Sequence, residues 1–278
     1  MAVDAHLHLW DLERVEYPWL TSALAPIDRT FTFAEVEPLL AQAGVDRVVL
    51  VQAANSVDDS AAMFAVDSPR VAGVVAWVDL LVPSVAARQV EEWSAHPTFV
   101  GVRHLIHDEP DPDWLGRPPV RRSLALLAER GLSFDVIGVL PRHLEHALAI
   151  ADELPGLQLV IDHLGTPPVG ATSREPWAGL LSALAERPNV AVKLSGLTTL
   201  GAAGQASAAD LRPFADHALA AFGAERVLYG GDWPVSTLAG PYAATWETAA
   251  ELISGLSTTE RAQILGGTAE RVYRLGGR

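Results

Sequence analysis

Near the start of the chain, Asp4-Ala5-His6-Leu7-His8 alternates polar and apolar side chains, and near its end Val227-Leu228-Tyr229 leads into Gly230-Gly231-Asp232-Trp233-Pro234. A strand has a side-chain period of two, so Asp4, His6 and His8 are expected on one face. Two imidazoles separated by one residue on a strand can offer a single cation two nitrogen ligands. In the later stretch the paired glycines permit a close approach or a positive φ, the proline fixes the exit, and Asp232 sits at the rim. Standing alone, an aspartate before a turn is ordinary turn chemistry. Here His163 joins it, in Ile161-Asp162-His163-Leu164-Gly165. Such a set suits hydrolysis of a carbonyl compound. A carboxylate can take a proton from attacking water. An imidazole, or a cation held by imidazoles, can polarise the carbonyl oxygen.

These residues meet only if the strands that carry them end at one face. Strands are expected over 3–10, 47–53, 71–79, 99–106, 132–138, 157–165, 190–197 and 226–232, several of them Val/Leu runs typical of strands buried on both sides. Helical patterns follow over 33–43, 59–68, 84–95, 121–130, 141–154, 175–187, 208–222 and 242–253. A last one, over 257–273, opens with a Ser257/Glu260 capping box. Eight β-α units joined right-handedly predict one closed parallel (β/α)8 barrel spanning 1–278 as a single domain, with extra C-terminal helices and every strand's carboxyl end at one face. A doubly wound sheet is the alternative, but no glycine-rich phosphate loop follows an early strand. The excursion over 12–29, with Tyr17 and Trp19, reads as a lid, a rim or a packed flap. The stretch over 107–119 is an acidic, proline-rich loop, and 197–206 a flexible Gly/Ala/Ser loop.

Other polar residues close the strands: Gln52, Asp79, Arg103, His104, Lys193 and Ser195. The rigid donor fork of Arg103 suits a carboxylate or a cluster of hydroxyls; its structural alternative is an ion pair with Asp79 or Asp135. His104 alternates to the opposite side of its strand unless the strand has already ended. Lys193 shares a face with Ser195. If that face is interior, Lys193 is a buried cation that needs a carboxylate; otherwise it is a helix-side salt bridge. Asp4 would support the histidine pair from one layer deeper. His143 and His146 are expected on a helix surface.

The 278 residues carry a formal charge of −14, which argues against a nucleic-acid or anionic-membrane partner. A small anionic substrate is still compatible with it. The absence of cysteine excludes disulfides and thiolate catalysis. No signal-peptide pattern opens the chain, and the apolar stretch over 71–83, broken by Asp79, is too short to cross a bilayer. A cytoplasmic enzyme acting on a small molecule is expected, with its oligomeric state left open.

Together the motifs resemble one family. Asp4-Ala5-His6-Leu7-His8-Leu9-Trp10 with Tyr17-Pro18-Trp19-Leu20, Gly101-Val102-Arg103-His104, Ile161-Asp162-His163-Leu164-Gly165, Lys193-Leu194-Ser195-Gly196 and Tyr229-Gly230-Gly231-Asp232-Trp233-Pro234 are similar to the amidohydrolase superfamily. Within it they resemble the amidohydrolase-2 group of TIM-barrel hydrolases that includes sugar-lactone lactonases. The resemblance implies His6 and His8 as the strand-1 pair, His163 as the catalytic histidine of strand 6 and Asp232 as general base; Arg103, His104, Trp19 and Gln52 are expected to bind substrate. It also implies either one divalent ion, such as zinc, on His6, His8 and Asp232, with or without His163, or metal-free operation. Strand 5 lacks a histidine and strand 4 a bridging lysine or glutamate, so a two-metal site is not expected. Relatives often have lysine at Thr166 and serine at Gly231. The implied reaction is hydrolysis of a lactone, such as a fuconic or rhamnonic acid lactone or another carboxylate-bearing one. Metal-dependent decarboxylation of an aromatic or unsaturated acid, and a non-catalytic binding barrel, are the alternatives.

Overall fold

The computed structural model describes residues 1–201 and 205–276. The loop expected over 197–206 therefore lies partly outside the described residues. Among those residues, eight strands form one parallel sheet in chain order: β1 (Val3–Leu7), β2 (Arg47–Val51), β3 (Val71–Ala76), β4 (Phe99–His104), β5 (Ser133–Val136), β6 (Gln158–Ile161), β7 (Val190–Leu194) and β8 (Val227–Tyr229). The seam between last and first strand closes just beyond β8. There the Asp232 amide donates to the His6 carbonyl and the His8 amide to the Trp233 carbonyl, each at 2.7 Å.

Helices alternate with the strands: α1 (Phe33–Ala43), α2 (Val57–Phe64), α3 (Pro83–Trp93), α4 (Pro118–Glu129), α5 (Pro141–Glu153), α6 (Trp177–Ala185), α7 (Ala208–Phe222) and α8 (Tyr242–Leu252). The expected (β/α)8 barrel is the observed one. Beyond it, the helix expected over 257–273 is divided into α9 (Thr258–Ala262), a π-helical turn (Gln263–Gly267) and α10 (Thr268–Val272). The Ser257/Glu260 capping box is present at its start.

Each strand ends two to four residues before the bound expected from the sequence. His8, Gln52, His163 and Asp232 thus stand just past strand ends rather than within strands.

The apolar residues sort into two shells. Outward-facing residues such as Val48, Leu50, Val102, Phe134, Leu159 and Val192 pack under the helices. Val3, Ala5, Val49, Val51, Val75, Val100, Val160, Ala191 and Leu228 fill the barrel's lower interior, closed by Ala269 and Tyr273 of the C-terminal segment. Both shells are buried, as a sheet covered on both faces requires.

Two sequence expectations are corrected by this geometry. Asp4 does not share a face with His6 and His8. The β1–β2 register slips between Asp4 and Leu7, and such a bulge lets consecutive inward positions fall at Ala5 and His6. Asp4 points to the helix side, where Tyr242 of α8 donates to it at 2.8 Å. His143 is buried, not on the surface. It falls on the same stripe of α5 as Ala147, Ile150 and Ala151, the spacing that faces a core.

Candidate active site

The bulge in β1 turns His6 and then His8 toward the barrel axis, with their Nε2 atoms 3.0 Å apart. The Nδ1–H of His8 donates to the Val51 carbonyl at 2.7 Å, which leaves its Nε2 a lone pair. Oδ1 of Asp232 lies 3.6 Å from His6 Nε2 and 3.3 Å from His8 Nε2. The paired glycines before Asp232 serve close approach, not positive φ. A Cβ on Gly230 would lie 2.6 Å from the His6 Cβ, and one on Gly231 would lie 2.5 Å from Asp4 Oδ2. Asp4 itself accepts from the amides of His6 and Gly231, so it supports both arms of the site from outside the barrel. Burial, working against those bonds, raises its pKa to about 6.

Below the histidines lies a buried layer of charge. Lys193 Nζ is 2.6 Å from Asp135 Oδ2, 3.0 Å from Asp162 Oδ1 and 2.9 Å from His6 Nδ1. Its face is therefore interior, and two carboxylates stabilise the cation. The Tyr273 hydroxyl donates to Asp135 at 2.6 Å. Arg103 donates through Nη1 to Asp162 at 3.1 Å and through Nη2 to the Gln52 carbonyl. The carboxylate facing Arg103 is thus Asp162, not the expected Asp79 or Asp135. Asp79 is occupied in its own turn, accepting from the Leu81 amide.

Burial pushes Asp162 up, but Lys193, His6 and Arg103 outweigh it and hold the carboxyl well below its usual range. Burial, helped by the Lys193 ammonium, takes His6 well below the usual imidazole value, and burial lowers His8 as well. Both rings are thereby neutral near pH 7, the form that ligates metal.

His163 approaches from beyond β6. Its ring meets His6 edge to face at 4.6 Å, and its Nδ1 is 2.9 Å from the Ser195 hydroxyl. His163 and Asp232 both hold a left-handed backbone, at φ 53° and 52°. Such conformations cost about 1–3 kcal/mol each and cluster where surrounding structure enforces function.

Above these groups opens a cavity of about 190 Å³. His8, Arg103, His163 and Asp232 form its polar side, while Trp19, Leu105, Ile137 and Val235 form apolar walls. Trp19 is held by a bond from its Nε1 to the Ala53 carbonyl at 2.7 Å. Tyr17, in the same excursion, donates to Asp59 at 2.9 Å, so the excursion is a packed flap whose Trp19 reaches the cavity.

The structure does not bring His104 and Gln52 to the cavity wall. His104 stacks on Trp114 at 4.0 Å, accepts from Trp77 Nε1 and meets Glu109 at 2.7 Å. Gln52 is buried and donates to Asn55 Oδ1 and the Arg103 carbonyl. His107, which sequence reasoning passed over within an acidic loop, does line the cavity. Asp162 was also passed over as a group in its own right. Alternation from the inward-facing Val160 would have placed it beside Lys193.

The donor set fits one divalent cation. Metal–ligand bonds of about 2.0–2.1 Å in a tetrahedron put ligand atoms roughly 3.3 Å apart. His6 Nε2, His8 Nε2 and Asp232 Oδ1 are separated by 3.0, 3.3 and 3.6 Å, and all three residues are buried. No further histidine or carboxylate stands ready on β5 to hold a second ion, because Asp135 is committed to Lys193 and Tyr273.

Comparison with known proteins gives a consistent picture. The model of the amidohydrolase family matches residues 3–275. A protein of Burkholderia ambifaria named L-fucono-1,5-lactonase is 36% identical over 98% of this chain and 95% of its own. One of Burkholderia multivorans with the same name is 34% identical over 99% and 96%. A crystal structure of an amidohydrolase from Burkholderia multivorans, described with bound zinc, superposes with a TM-score of 0.91 at 32% identity, covering 99% of both chains.

Proposed function

The chain belongs to the amidohydrolase family, and from that premise we propose that it hydrolyses a lactone, with an aldonic acid lactone such as L-fucono-1,5-lactone as the leading substrate. The observation that carries this reading is the placement of Asp232. One carboxylate oxygen faces His6 and His8, and the residue lines a cavity shared with His163 and Arg103. Hydrolysis of a cyclic ester needs a base for water and a donor for the oxyanion, parts that the side chains of Asp232 and His163 suit.

In the proposed reaction the ring lies against Trp19 and the apolar wall, and Arg103 turns its guanidinium edge to an oxygen of the substrate. Asp232 accepts a proton from water as the water attacks the carbonyl carbon. His163, oriented through Ser195, donates toward the carbonyl oxygen as charge develops on it. The tetrahedral centre then collapses, the ring C–O bond breaks, and Asp232 returns its proton to the leaving alkoxide. His6, His8 and Asp232 would hold a divalent cation, which supplies Lewis-acid polarisation of the carbonyl when bound. Two named lactonases at 34–36% identity over nearly the whole chain support this substrate class.

The test is a pH-indicator screen of purified protein against aldonic 1,4- and 1,5-lactones and pyrone carboxylates, with and without chelator. Acid release from at least one sugar-acid lactone is expected. Inertness towards every lactone, with or without added zinc, would overturn the reading.

A further inference from the structure

Nδ1 of His6 has two neighbours that make opposite demands on it. Lys193 Nζ stands 2.9 Å away and, as an ammonium, can only donate. Asp162 Oδ1 stands 3.3 Å away and, as a carboxylate, can only accept. A neutral imidazole carries one ring proton. The partner engaged at Nδ1 therefore fixes whether Nε2 is a donor or a bare lone pair. Nε2 is the atom that faces His8 and Asp232, with Arg103 Nη1 farther off at 3.4 Å.

We propose that Lys193 and Asp162 form a tautomer switch for His6. Lys193 holds the imidazole with its proton on Nε2, and a divalent cation at the His6–His8–Asp232 site selects the tautomer bonded to Asp162.

In the Lys193-bonded form three donors run in one direction, and Arg103 Nη1, which stands 3.4 Å from His6 Nε2, gives its proton to the nearer Asp162 at 3.1 Å. Lys193 donates to His6 Nδ1, His6 Nε2–H donates to His8 Nε2 over 3.0 Å, and His8 Nδ1–H donates to the Val51 carbonyl over 2.7 Å. Two lone pairs facing each other at 3.0 Å would repel, whereas a proton between them makes a bond. The opposing acceptor is already in place: Asp162 Oδ1 is buried, and its 3.0 Å contact with Lys193 is an ion pair without hydrogen-bond geometry. Passage to the second form moves the ring proton from Nε2 to Nδ1, with none gained or lost overall. Lys193 keeps its 2.6 Å bond to Asp135 throughout. His6, Lys193, Asp135 and Asp162 are all fully buried, so bulk water cannot replace either partner.

Lys193 is on this view a positioning residue that sets the affinity of the site. A partner of this kind typically changes metal affinity about 10–100-fold. The readouts are a nuclear spin and a binding constant, so the switch stands or falls apart from the lactone reading.

The ¹⁵N shifts of histidine distinguish the two neutral tautomers. In full-length wild-type protein stripped of metal, His6 is expected to be protonated at Nε2. After one equivalent of zinc chloride it is expected to be protonated at Nδ1. The same tautomer in both states would overturn the proposal. Lys193→Met removes a charge and would tighten zinc on that ground alone. The proposal further requires its metal-free His6 to carry the proton on Nδ1, and a metal-free tautomer like wild type would contradict it. Asp162→Asn, whose amide can donate to Nδ1, should weaken zinc by about 10–100-fold in a chelator competition; undiminished affinity would contradict the switch. Should Lys193→Met fail to fold, the wild-type spectra decide alone.

Discussion

The backbone amide of Asp232 donates to the carbonyl of His6 over 2.7 Å, so the last strand end of the barrel is fastened to the first at the site itself. That bond sets the carboxylate of Asp232 against the imidazoles of His6 and His8, and it depends on how closely the segment over 230–232 can approach β1. The two glycines before Asp232 make that approach sterically feasible.

Gly231 is therefore a poor host for a side chain in this protein. Its added Cβ would lie 2.5 Å from Asp4 Oδ2 and 2.6 Å from Tyr242 Cε2. Gly231→Ser should lower stability by about 1–3 kcal/mol, the usual cost of overpacking, and reduce turnover by displacing Asp232. Urea unfolding and steady-state kinetics check both. A Gly231→Ser protein as stable and active as wild type would contradict the close packing.

Tyr273 closes the barrel floor from the C-terminal segment and donates to Asp135 over 2.6 Å. Tyr273→Phe removes that donor and keeps the ring, so it should cost about 1–3 kcal/mol in unfolding free energy and leave kcat nearly unchanged. A large loss of kcat without loss of stability would place Tyr273 nearer the chemistry than its position allows.

Asp59 ties the flap to the barrel, accepting from the Tyr17 hydroxyl and the Ala53 amide. Burial, offset in part by these bonds, pushes its pKa up to about 6. Between pH 6 and the unfolded value near 4, the native state holds a proton that the unfolded chain has released. Its contribution is thus fully present below pH 4 and is lost as pH rises through 6. On going from pH 7.5 to 4.5, wild type should gain about 2 kcal/mol relative to Asp59→Asn. Urea titrations at the two values measure this, and a relative change of opposite sign would contradict the assignment.

Much of the architecture is legible in the sequence because strand and helix periods differ and glycines punctuate them. Val190-Ala191-Val192-Lys193-Leu194 is one example, where simple alternation puts Ala191 and Lys193 inside the barrel. Alternation fails where the register slips. Nothing in Asp4-Ala5-His6 announces the bulge that turns Asp4 outward. Strand ends are also blurred, since Gly230 and Gly231 continue an apolar run although β8 ends at Tyr229. Pairwise contacts such as Lys193 with Asp135 and Asp162, or Tyr273 with Asp135, join residues far apart in the chain. The sequence can demand a partner for a buried cation without saying which carboxylate meets it. His107 was missed for a related reason: an acidic loop gives no period from which to read a direction.

In the proposed reaction Asp232 activates water for ester hydrolysis. This role is tested most directly by comparing acid release from L-fucono-1,5-lactone by wild type and Asp232→Asn, with thermal unfolding measured on the same samples. Wild type is expected to turn the lactone over. Asp232→Asn should lose about 10²–10⁴-fold in kcat while retaining a cooperative unfolding transition near that of wild type. An Asp232→Asn protein that hydrolyses the lactone at the wild-type rate would contradict this role.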